Sequence, residues 1–296
     1  MSEGLSLVIG GDGLIGSSLL AHLAVQGHDV LATSRREVSG HLLLDLARPL
    51  QPEQLPPAIG TAYLLAAITS MAACDDDPAG SRRVNVEQAL ALAAALQHRG
   101  AHVVYVSTNL VLAGDRPHAR PDAPPAPLNL YAAQKAEVER ALLASGAASV
   151  LRITKIAEGL TGLVCGWAKA LHRGLPIQPF SDLVCAPIPL RYLIETLARL
   201  GELRVHGLYQ IGGDRDLSYA EIAATLARHM GADPGLVRPT RSSDAGVRLS
   251  ANPAHTTLQT HSTEQALGLR PQAAMDALLP VFEYAIGRSG RENGGE

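Results

Sequence analysis

Tyr131 and Lys135 stand four residues apart in the run Tyr-Ala-Ala-Gln-Lys, and together they could move a proton. A phenol loses its proton near a pH of about 10, so proton exchange at neutral pH requires a nearby positive charge. Residues i and i+4 share one face of a helix, which would bring the Lys135 ammonium close enough to lower the pKa of Tyr131. The Thr108 hydroxyl, at the end of an apolar run, could orient a substrate oxygen. We therefore predict that Thr108, Tyr131 and Lys135 are catalytic.

A glycine-rich turn near the N-terminus predicts a nucleotide site. The strand-sized apolar run 5–9 leads into Gly-Gly-Asp-Gly-Leu-Ile-Gly, and a helical pattern follows. In such a turn the first glycine permits the bend, the second lets the backbone approach a pyrophosphate, and the third allows close packing of the helix. The phosphates then lie at the helix N-terminus. The residues predicted to bind the dinucleotide here are Gly10, Gly13, Leu14, Ile15 and Gly16.

The end of the second predicted strand indicates which dinucleotide binds. Sites for NAD usually place Asp or Glu there to bind the ribose 2′-hydroxyl. This chain instead has Ser34, Arg35 and Arg36, and a guanidinium can hold a 2′-phosphate through two hydrogen bonds. The sequence favours NADP(H) as the cofactor, with NAD(H) as the alternative. The structural alternative is a solvated basic loop.

An alternation of apolar runs and helical patterns surrounds these residues. Strands are expected at 5–9, 29–33, 62–66, 102–107 and 149–153, and helices at 17–26, 84–98 and 131–144. This alternation indicates a parallel sheet with helices on both faces. We predict a Rossmann-type, doubly wound α/β fold. Its NAD(P)-binding domain would span residues 1–155, followed by a smaller C-terminal α/β substrate lobe at 156–287, with segments returning to the sheet, and a disordered tail at 288–296.

The second half is less regular. Helices are expected at 163–172, 192–200 and 218–229, with a short strand at 208–211. Ser218 and Glu221, three residues apart, form the pattern of a capping box at the start of the third helix. The segment 238–263 is polar and is expected to be irregular.

The composition excludes several classes of protein. With a net charge of −3 and no basic block, the chain lacks the cationic surface that nucleic acids require. It has neither a membrane-length apolar stretch nor a secretory signal pattern. The three cysteines, an odd number without metal-ligand spacing, and the scattered histidines indicate reduced thiols and no metal site. We expect a cytoplasmic protein that acts on a small molecule, without nucleic acid, membrane or metal.

The motifs resemble the extended short-chain dehydrogenase/reductase superfamily, and above all its dTDP-4-dehydrorhamnose reductase family. That family has a Ser-Thr-Asp strand end, a loop rich in Pro and Asp, and then Pro-x-Asn-x-Tyr-(Gly)-x-x-Lys. This chain has Ser107-Thr108-Asn109 and then Pro127-Leu128-Asn129-Leu130-Tyr131, with Lys135 four residues on. The resemblance implies an NADPH-dependent reductase of a keto-sugar, expected to be nucleotide-linked, with Tyr131 as proton donor. The oligomeric state that we consider for such an enzyme is a homodimer.

The resemblance also implies further site residues. Asp45 and Leu46 match the pair that contacts adenine, and Arg152 matches the arginine that ends the fifth strand. Substrate contacts are implied for Thr69, Asn109 and Asp182. The remaining positions implied to line the cofactor are Ala66, Ala67, Thr69 and Asn85.

Several departures from the family pattern concern the substrate. Asn109 replaces the family's Asp, and Cys185 and Ile188 replace a Gly and a Thr. The family's Arg-Pro-x-Asn-Ser-x-Leu appears as Asn-Pro-Ala-His-Thr-Thr-Leu from Asn252, without the arginine. Two alternatives therefore stay open. One is a sugar epimerase or dehydratase that uses the same three residues. The other is a non-catalytic, NADP-binding regulatory subunit, because the regulatory β subunit of methionine adenosyltransferase shares this pattern.

Overall fold

A parallel β-sheet of seven strands forms the centre of the computed structural model, which describes residues 4–247 and 252–291. All pairings within this sheet are parallel. Two further strands, β7 and β9, form a small antiparallel pair. The strands are β1 (Ser6–Ile9), β2 (Val30–Ser34), β3 (His41–Leu43), β4 (Thr61–Leu64), β5 (His102–Thr108), β6 (Ala148–Ile153), β7 (Val184–Cys185), β8 (Gly207–Ile211) and β9 (Leu217–Ser218).

The strand order of the sheet is β3-β2-β1-β4-β5-β6-β8. The chain therefore runs outward from β1 to β3 and then crosses to β4 on the other side of β1. Open α/β sheets bind ligands outside the carboxyl ends of the strands at such a reversal of order. Gly10 follows β1 directly, and a Cβ atom added to Gly10 would lie 3.1 Å from Ala66 just beyond β4. The glycine turn thus lies where this fold opens a crevice.

Helices cover both faces of the sheet and build the second half of the chain. They are α1 (Leu14–Val25), α2 (Met71–Asp76), α3 (Pro78–Arg82), α4 (Ala89–His98), α5 (Leu130–Ser145), α6 (Thr161–His172), α7 (Leu190–Leu203), α8 (Tyr219–Met230), α9 (His261–Leu267) and α10 (Leu279–Arg291). Residues Arg83–Gln88, between α3 and α4, form a π-helical turn.

The seven residues of β5 are all buried because both faces of the strand are covered. Val103 and Tyr105 belong to the core that also contains residues of α4 and α5. Val104 and Val106 belong to the core on the opposite face, with residues of α1 and α7. This alternation follows from the two-residue period of a strand and explains why the run is continuously apolar. It confirms the predicted Rossmann-like fold.

Helix α5, which carries Tyr131 and Lys135, has well-defined ends. The Asn129 side chain accepts a hydrogen bond from the Ala132 amide at 2.8 Å, as an N-cap does. The helix ends at Gly146, whose φ of 69° is left-handed. Both ends follow from local sequence, so the start of α5 one residue before Tyr131 is fixed by the Asn129 cap.

The second half has a separate core formed by α6, α8 and α10, with Trp167, Leu226 and Phe282 among its members. The capping box of Ser218 and Glu221 is present at the start of α8, as predicted. In contrast, α7 packs on the sheet and β8 pairs with β6. The division of the chain into residues 1–155 and 156–287 stays a prediction.

Some elements differ from the sequence expectations. Strands β3, β7 and β9 and helices α2, α3, α9 and α10 were not predicted. All of them except α10, which has 13 residues, have only two to seven residues, too few for a clear periodic pattern. The predicted helix at 84–98 begins with the π-helical turn. The expected disordered tail from residue 288 is wrong for residues 288–291, because α10 continues through them. The remaining tail residues, 292–296, lie outside the described part of the chain.

Candidate functional site

The glycine turn places the N-terminus of α1 at the carboxyl end of β1. Gly10 has a φ of 88°, and its amide donates to Thr33 Oγ1 in the neighbouring strand at 3.2 Å. A Cβ atom on Gly16 would lie 2.1 Å from the Gly10 carbonyl oxygen, so only glycine lets α1 pack this closely. Gly13 is the N-cap and supplies no side-chain cap. The first amides of a twelve-residue helix are therefore left for an anion such as a pyrophosphate.

The basic residues after β2 differ in their contacts. Arg36 Nη2 lies 2.6 Å from Asp12 Oδ2, and this hydrogen bond lowers the pKa of Asp12. The Arg36 amide also donates to the buried Ser34 hydroxyl at 3.0 Å. Arg35 is exposed and forms no ion pair with any residue that the structure describes. Arg36 thus joins the end of β2 to the glycine turn, whereas the Arg35 guanidinium is available for a phosphate.

The three predicted catalytic residues lie around the end of β5. Lys135 is buried, and its ammonium donates to the Val106 carbonyl oxygen at 2.9 Å. The same nitrogen lies 4.5 Å from the ring centre of Tyr105 and 5.9 Å from that of Tyr131. Thr108, two residues beyond Val106, accepts a hydrogen bond from the Leu110 amide at 3.3 Å. The fold therefore brings Lys135 to the strand that ends in Thr108.

The pKa values of this group differ from the sequence expectation. Burial, with a smaller contribution from Cys74, raises the pKa of Tyr131 to about 12. Burial lowers the pKa of Lys135 to about 8, although nearby Glu139 acts in the opposite direction. The prediction that Lys135 lowers the pKa of Tyr131 is therefore wrong, because desolvation of the phenol dominates and the ammonium donates to Val106. Tyr131 keeps its proton at neutral pH, and with this raised pKa the phenol is a weaker acid than that of a free tyrosine.

A narrow crevice brings several of the predicted cofactor residues together. Its walls include Leu46, Ala66, Ala67, Asn85 and Lys135, from four different parts of the sequence. The loop that follows β4 forms one wall, and helix α5 contributes another through Lys135. We call this space the cofactor crevice.

Two predicted cofactor residues use their side chains within the protein. The Asp45 carboxylate accepts a hydrogen bond from the Ala47 amide at 2.9 Å and so closes its own turn. The Asn85 side chain bonds both backbone groups of Ile68 and the side chain of Gln134. Asn85 therefore lines the crevice while holding its wall. Thr69 is exposed next to Ser70, the N-cap of α2, and its role stays a prediction.

Asp182, predicted to contact substrate, joins two loops in this structure. Its carboxylate accepts hydrogen bonds from the Ser242 amide at 2.9 Å and the Ser242 hydroxyl at 2.8 Å. These bonds lower the pKa of Asp182. Asn109 is half-buried at the start of a 3-10 turn directly after Thr108. Asn109 thus directly follows Thr108, and the substrate roles predicted for Asn109 and Asp182 stay predictions.

Residues that sequence reasoning missed lie at the same edge of the sheet. Thr108 pairs with Ile153 of β6, and Ile153 pairs with Ile211 of β8, so the residues after these strands share the carboxyl edge. Lys155 follows β6 and is exposed. Its charge and that of Asp216, which follows β8, both act on the buried Cys185 thiol, whose pKa burial raises to about 12.

His255 completes this substrate-side group. Its Nδ1 lies 3.0 Å from Asp216 Oδ2, and Asp216 also accepts hydrogen bonds from the amide and hydroxyl of Thr256 at 2.7 and 2.6 Å. The His255 amide donates to the carbonyl oxygen of Gly114, in the loop that leaves β5. The only signal in the sequence was the altered Asn-Pro-Ala-His-Thr-Thr-Leu segment. No spacing rule could join it to Asp216.

Arg152 occupies a structural position. Its guanidinium lies 2.8 Å from Glu139 of α5, and both side chains are 3% exposed. It also donates to Gln210 and to the Pro121 carbonyl oxygen, each at 3.3 Å. The ion pair thus joins β6 to α5.

Two further observations concern metals and membranes. Within residues 4–247 and 252–291, no group of three or more His, Cys, Asp or Glu side chains could hold a metal ion. Over the same residues, every helix is too short or too polar to cross a lipid bilayer.

Comparison with known proteins establishes the family. The family described as RmlD substrate binding domain matches residues 6–284. The chain belongs to this family. The match confirms the resemblance to dTDP-4-dehydrorhamnose reductases, and the chain is an oxidoreductase of the extended short-chain dehydrogenase/reductase type.

Individual relatives agree with this membership. The chain is 31% identical over 274 residues to a Streptomyces antibioticus protein named "Probable dTDP-4,6-dihydroxy-2-methyloxan-3-one 4-ketoreductase", with 90% of each chain covered. It is 30% identical over 304 residues to the dTDP-4-dehydrorhamnose reductase of Streptomyces griseus, covering 96% of this chain and 95% of that one. Among solved structures, the dTDP-4-dehydrorhamnose reductase of Bacillus anthracis in complex with NADP superposes with a TM-score of 0.80 at 20% identity. That superposition covers 95% of this chain and 99% of the other.

Proposed function

We propose that this chain is an NADPH-dependent reductase of a nucleotide-linked keto-sugar, in which Tyr131 donates the proton. The observation that carries the proposal is the meeting of three features at one edge of the sheet. These are the uncapped N-terminus of α1, the cofactor crevice, and the group formed by Thr108, Tyr131 and Lys135. Relatives named as reductases of dTDP-linked sugars support the substrate class.

The residues present fit a nicotinamide dinucleotide. The first amides of α1 suit a pyrophosphate, and Arg35 suits a 2′-phosphate. When bound, the cofactor supplies the hydride. The Lys135 ammonium would hold the ribose, and the Ala66 and Ala67 backbone would line the crevice. Solved structures of the same fold carry NADP or NAD, which supports this choice of cofactor.

The proton chemistry falls to the residues of the chain itself. Tyr131, whose pKa is raised to about 12, holds its proton at neutral pH. It would donate that proton to the carbonyl oxygen as charge develops there, while the Thr108 hydroxyl donates a hydrogen bond to the same oxygen. Asn109 and Leu110, which follow Thr108, are not acidic, whereas dehydratases usually carry acidic residues there. This favours the reductase over the dehydratase alternative.

The substrate side offers one cation for a diphosphate. Lys155 is exposed beyond β6, and it forms no ion pair among the residues that the structure describes. It stands at the edge of the sheet near the substrate segment, and it could bind a diphosphate in place of the arginine that this chain lacks.

Tyr131→Phe tests the proposal. General acid catalysis contributes about 100-fold or more, so the variant should lose at least that factor in kcat with dTDP-4-dehydrorhamnose and NADPH. NADPH binding should change less than about threefold, because the phenyl ring remains. Consumption of NADPH gives kcat, and a fluorescence titration gives Kd.

Tyr284→Phe is the matched control. Tyr284 is exposed on α10, and that helix packs in the separate core with α6 and α8 and not on β5. Its kcat should equal that of the wild type. A wild-type protein that binds NADPH but reduces no keto-sugar would contradict the proposal and favour a regulatory subunit.

A further inference from the structure

Two buried amide side chains connect the walls of the cofactor crevice. Asn85 Oδ1 accepts from the Ile68 amide at 2.8 Å, and Asn85 Nδ2 donates to the Ile68 carbonyl oxygen at 2.9 Å. The same Nδ2 donates to Gln134 Oε1 at 2.8 Å. Asn85 and Gln134 are each 2% exposed. We call the two side chains the amide pair.

The amide pair extends into a larger buried network. Gln134 Nε2 donates to the Ser81 hydroxyl at 2.9 Å, and that hydroxyl lies within hydrogen-bond distance of the Cys74 and Pro78 carbonyl oxygens. The Cys74 thiol in turn lies 3.5 Å from the Ile68 carbonyl oxygen. Ser81 and Cys74 are fully buried. Each polar atom of the amide pair therefore has a partner, as buried networks require.

The amide pair lies between two segments that line the cofactor crevice. Ile68 follows Ala66 and Ala67, which form one wall of the cofactor crevice. Gln134 lies on α5 three residues after Tyr131 and immediately before Lys135, which forms another wall of the crevice. Asn85 sits in the π-helical turn, a distortion that often occurs at functional sites. The amide pair is thus the hydrogen-bonded link between the two walls.

We propose that Gln134 is a positioning residue: through Asn85 it fixes the width of the cofactor crevice and so sets Lys135 and Tyr131 relative to the cofactor. Without the Gln134 carbonyl, Asn85 still holds Ile68, but nothing polar joins that loop to α5 at this point. The two walls would then move independently, and the cofactor would have to order them on binding. The inference rests on the nicotinamide cofactor of the proposed function, and it does not depend on which sugar is reduced.

Gln134→Met tests the inference, because methionine has a similar length and keeps the packing while it removes both hydrogen bonds. We expect the Kd of NADPH, measured by fluorescence titration without substrate, to rise about tenfold. With substrate, kcat should fall by a similar factor while KM for the sugar changes less than about threefold. Thermal unfolding checks that the variant is folded.

Gln97→Met is the matched control. Gln97 lies on α4 and donates to Ser145 Oγ at 2.9 Å and to the Ala147 carbonyl oxygen at 3.3 Å. It therefore joins α4 to the C-terminal end of α5, away from Lys135. This variant should lose thermal stability and keep the wild-type Kd for NADPH. An equal change of Kd in Gln97→Met and Gln134→Met would overturn the specific role of Gln134.

Ser81→Ala provides a second and smaller change at the other end of the network. Residues in one network are not independent, so Ser81→Ala should weaken NADPH binding in the wild type and add little to Gln134→Met. Fully additive effects, or an unchanged Kd in Gln134→Met, would overturn the inference alone. A wild-type protein that binds no NADPH would overturn both the cofactor assignment and this inference. A protein that reduces no sugar, but in which the variants change the Kd of NADPH as expected, would contradict the proposed function and support the inference.

Discussion

Lys135 keeps a positive charge where water scarcely reaches it. The residue is 5% exposed, and burial lowers its pKa to about 8. The Val106 carbonyl oxygen and the face of the Tyr105 ring replace part of the lost hydration. The charged form is nevertheless less stable in the folded protein than in the unfolded chain. A cation at this site therefore costs folding free energy.

Removing this charge should stabilise the protein. The folded pKa of about 8 lies below the unfolded value of about 10.4, so the destabilisation is complete below a pH of about 8 and vanishes as the pH rises towards about 10.4. At neutral pH, Lys135→Met should raise the free energy of unfolding by on the order of 3 kcal/mol. Urea unfolding across this pH range measures it. A difference between variant and wild type that does not shrink with rising pH would contradict the assignment.

Arg35 and Arg36 should contribute unequally to cofactor choice. Arg36 is already bonded to Asp12 at 2.6 Å, whereas the exposed Arg35 guanidinium is available for a 2′-phosphate. Hydrogen bonds to charged groups contribute about 1.5–3 kcal/mol, so Arg35→Ala should raise the Kd of NADPH at least about tenfold. The Kd of NADH, which lacks the phosphate, should not change. Titration of both cofactors decides, and equal losses for NADPH and NADH would count against a phosphate contact.

At the scale of elements, α5 is held to the sheet by a buried ion pair. Glu139 lies one turn after Lys135 and faces Arg152 of β6, with both side chains 3% exposed. Arg152 also reaches Gln210 of β8 and the loop at Pro121. Through Arg152, helix α5 is thus joined to two strands and to the loop that precedes it.

Breaking the pair on one side should be costly. Glu139→Gln leaves the Arg152 charge buried without its carboxylate, which typically destabilises a protein by about 3–5 kcal/mol. Asp122→Asn is the control, because the Arg120–Asp122 pair has a similar distance of 2.9 Å but side chains that are 69% and 67% exposed. Its unfolding free energy should match the wild type. Urea unfolding compares them, and similar effects from both variants would argue against a structural role for the buried pair.

At the scale of the whole molecule, the second half of the chain has a core of its own and also contributes to the sheet. Trp167 lies in the core of α6, α8 and α10, while the cofactor crevice belongs to the sheet. Helix α7 and strand β8 come from the second half of the chain and pack on that sheet. Stabilisation at the crevice should therefore reach the distant core.

NADPH should raise the unfolding temperature of the sheet and that of the core around Trp167 by the same amount. At 100 times Kd, a ligand that binds only the folded state adds about 2.7 kcal/mol, which corresponds to a rise of several degrees. Trp167, the only tryptophan, reports the second core by fluorescence, and far-ultraviolet circular dichroism reports the whole chain. Both transitions should shift equally. A fluorescence transition that NADPH leaves unmoved would show that the second core unfolds independently.

Much of the fold could be predicted from local patterns in the sequence. Strand–helix alternation depends on side-chain periodicity, so β1, β5 and α5 were placed to within one or two residues. The bend at Gly10 was also predicted, because it depends on a short segment alone. Strand β3 and helices α2 and α3 were missed because elements of three to six residues carry too little periodic signal.

The sequence by itself determined the chemistry that the chain can perform, because residue types and spacings such as Tyr131 and Lys135 are local. Only the tertiary structure decided how the groups are tuned and joined. Burial, which depends on the whole fold, raises the pKa of Tyr131 where spacing alone predicted a fall. Asn85 with Gln134 and Asp216 with His255 are pairs separated by 49 and 39 residues. No periodicity spans such distances, so packing alone brings them together.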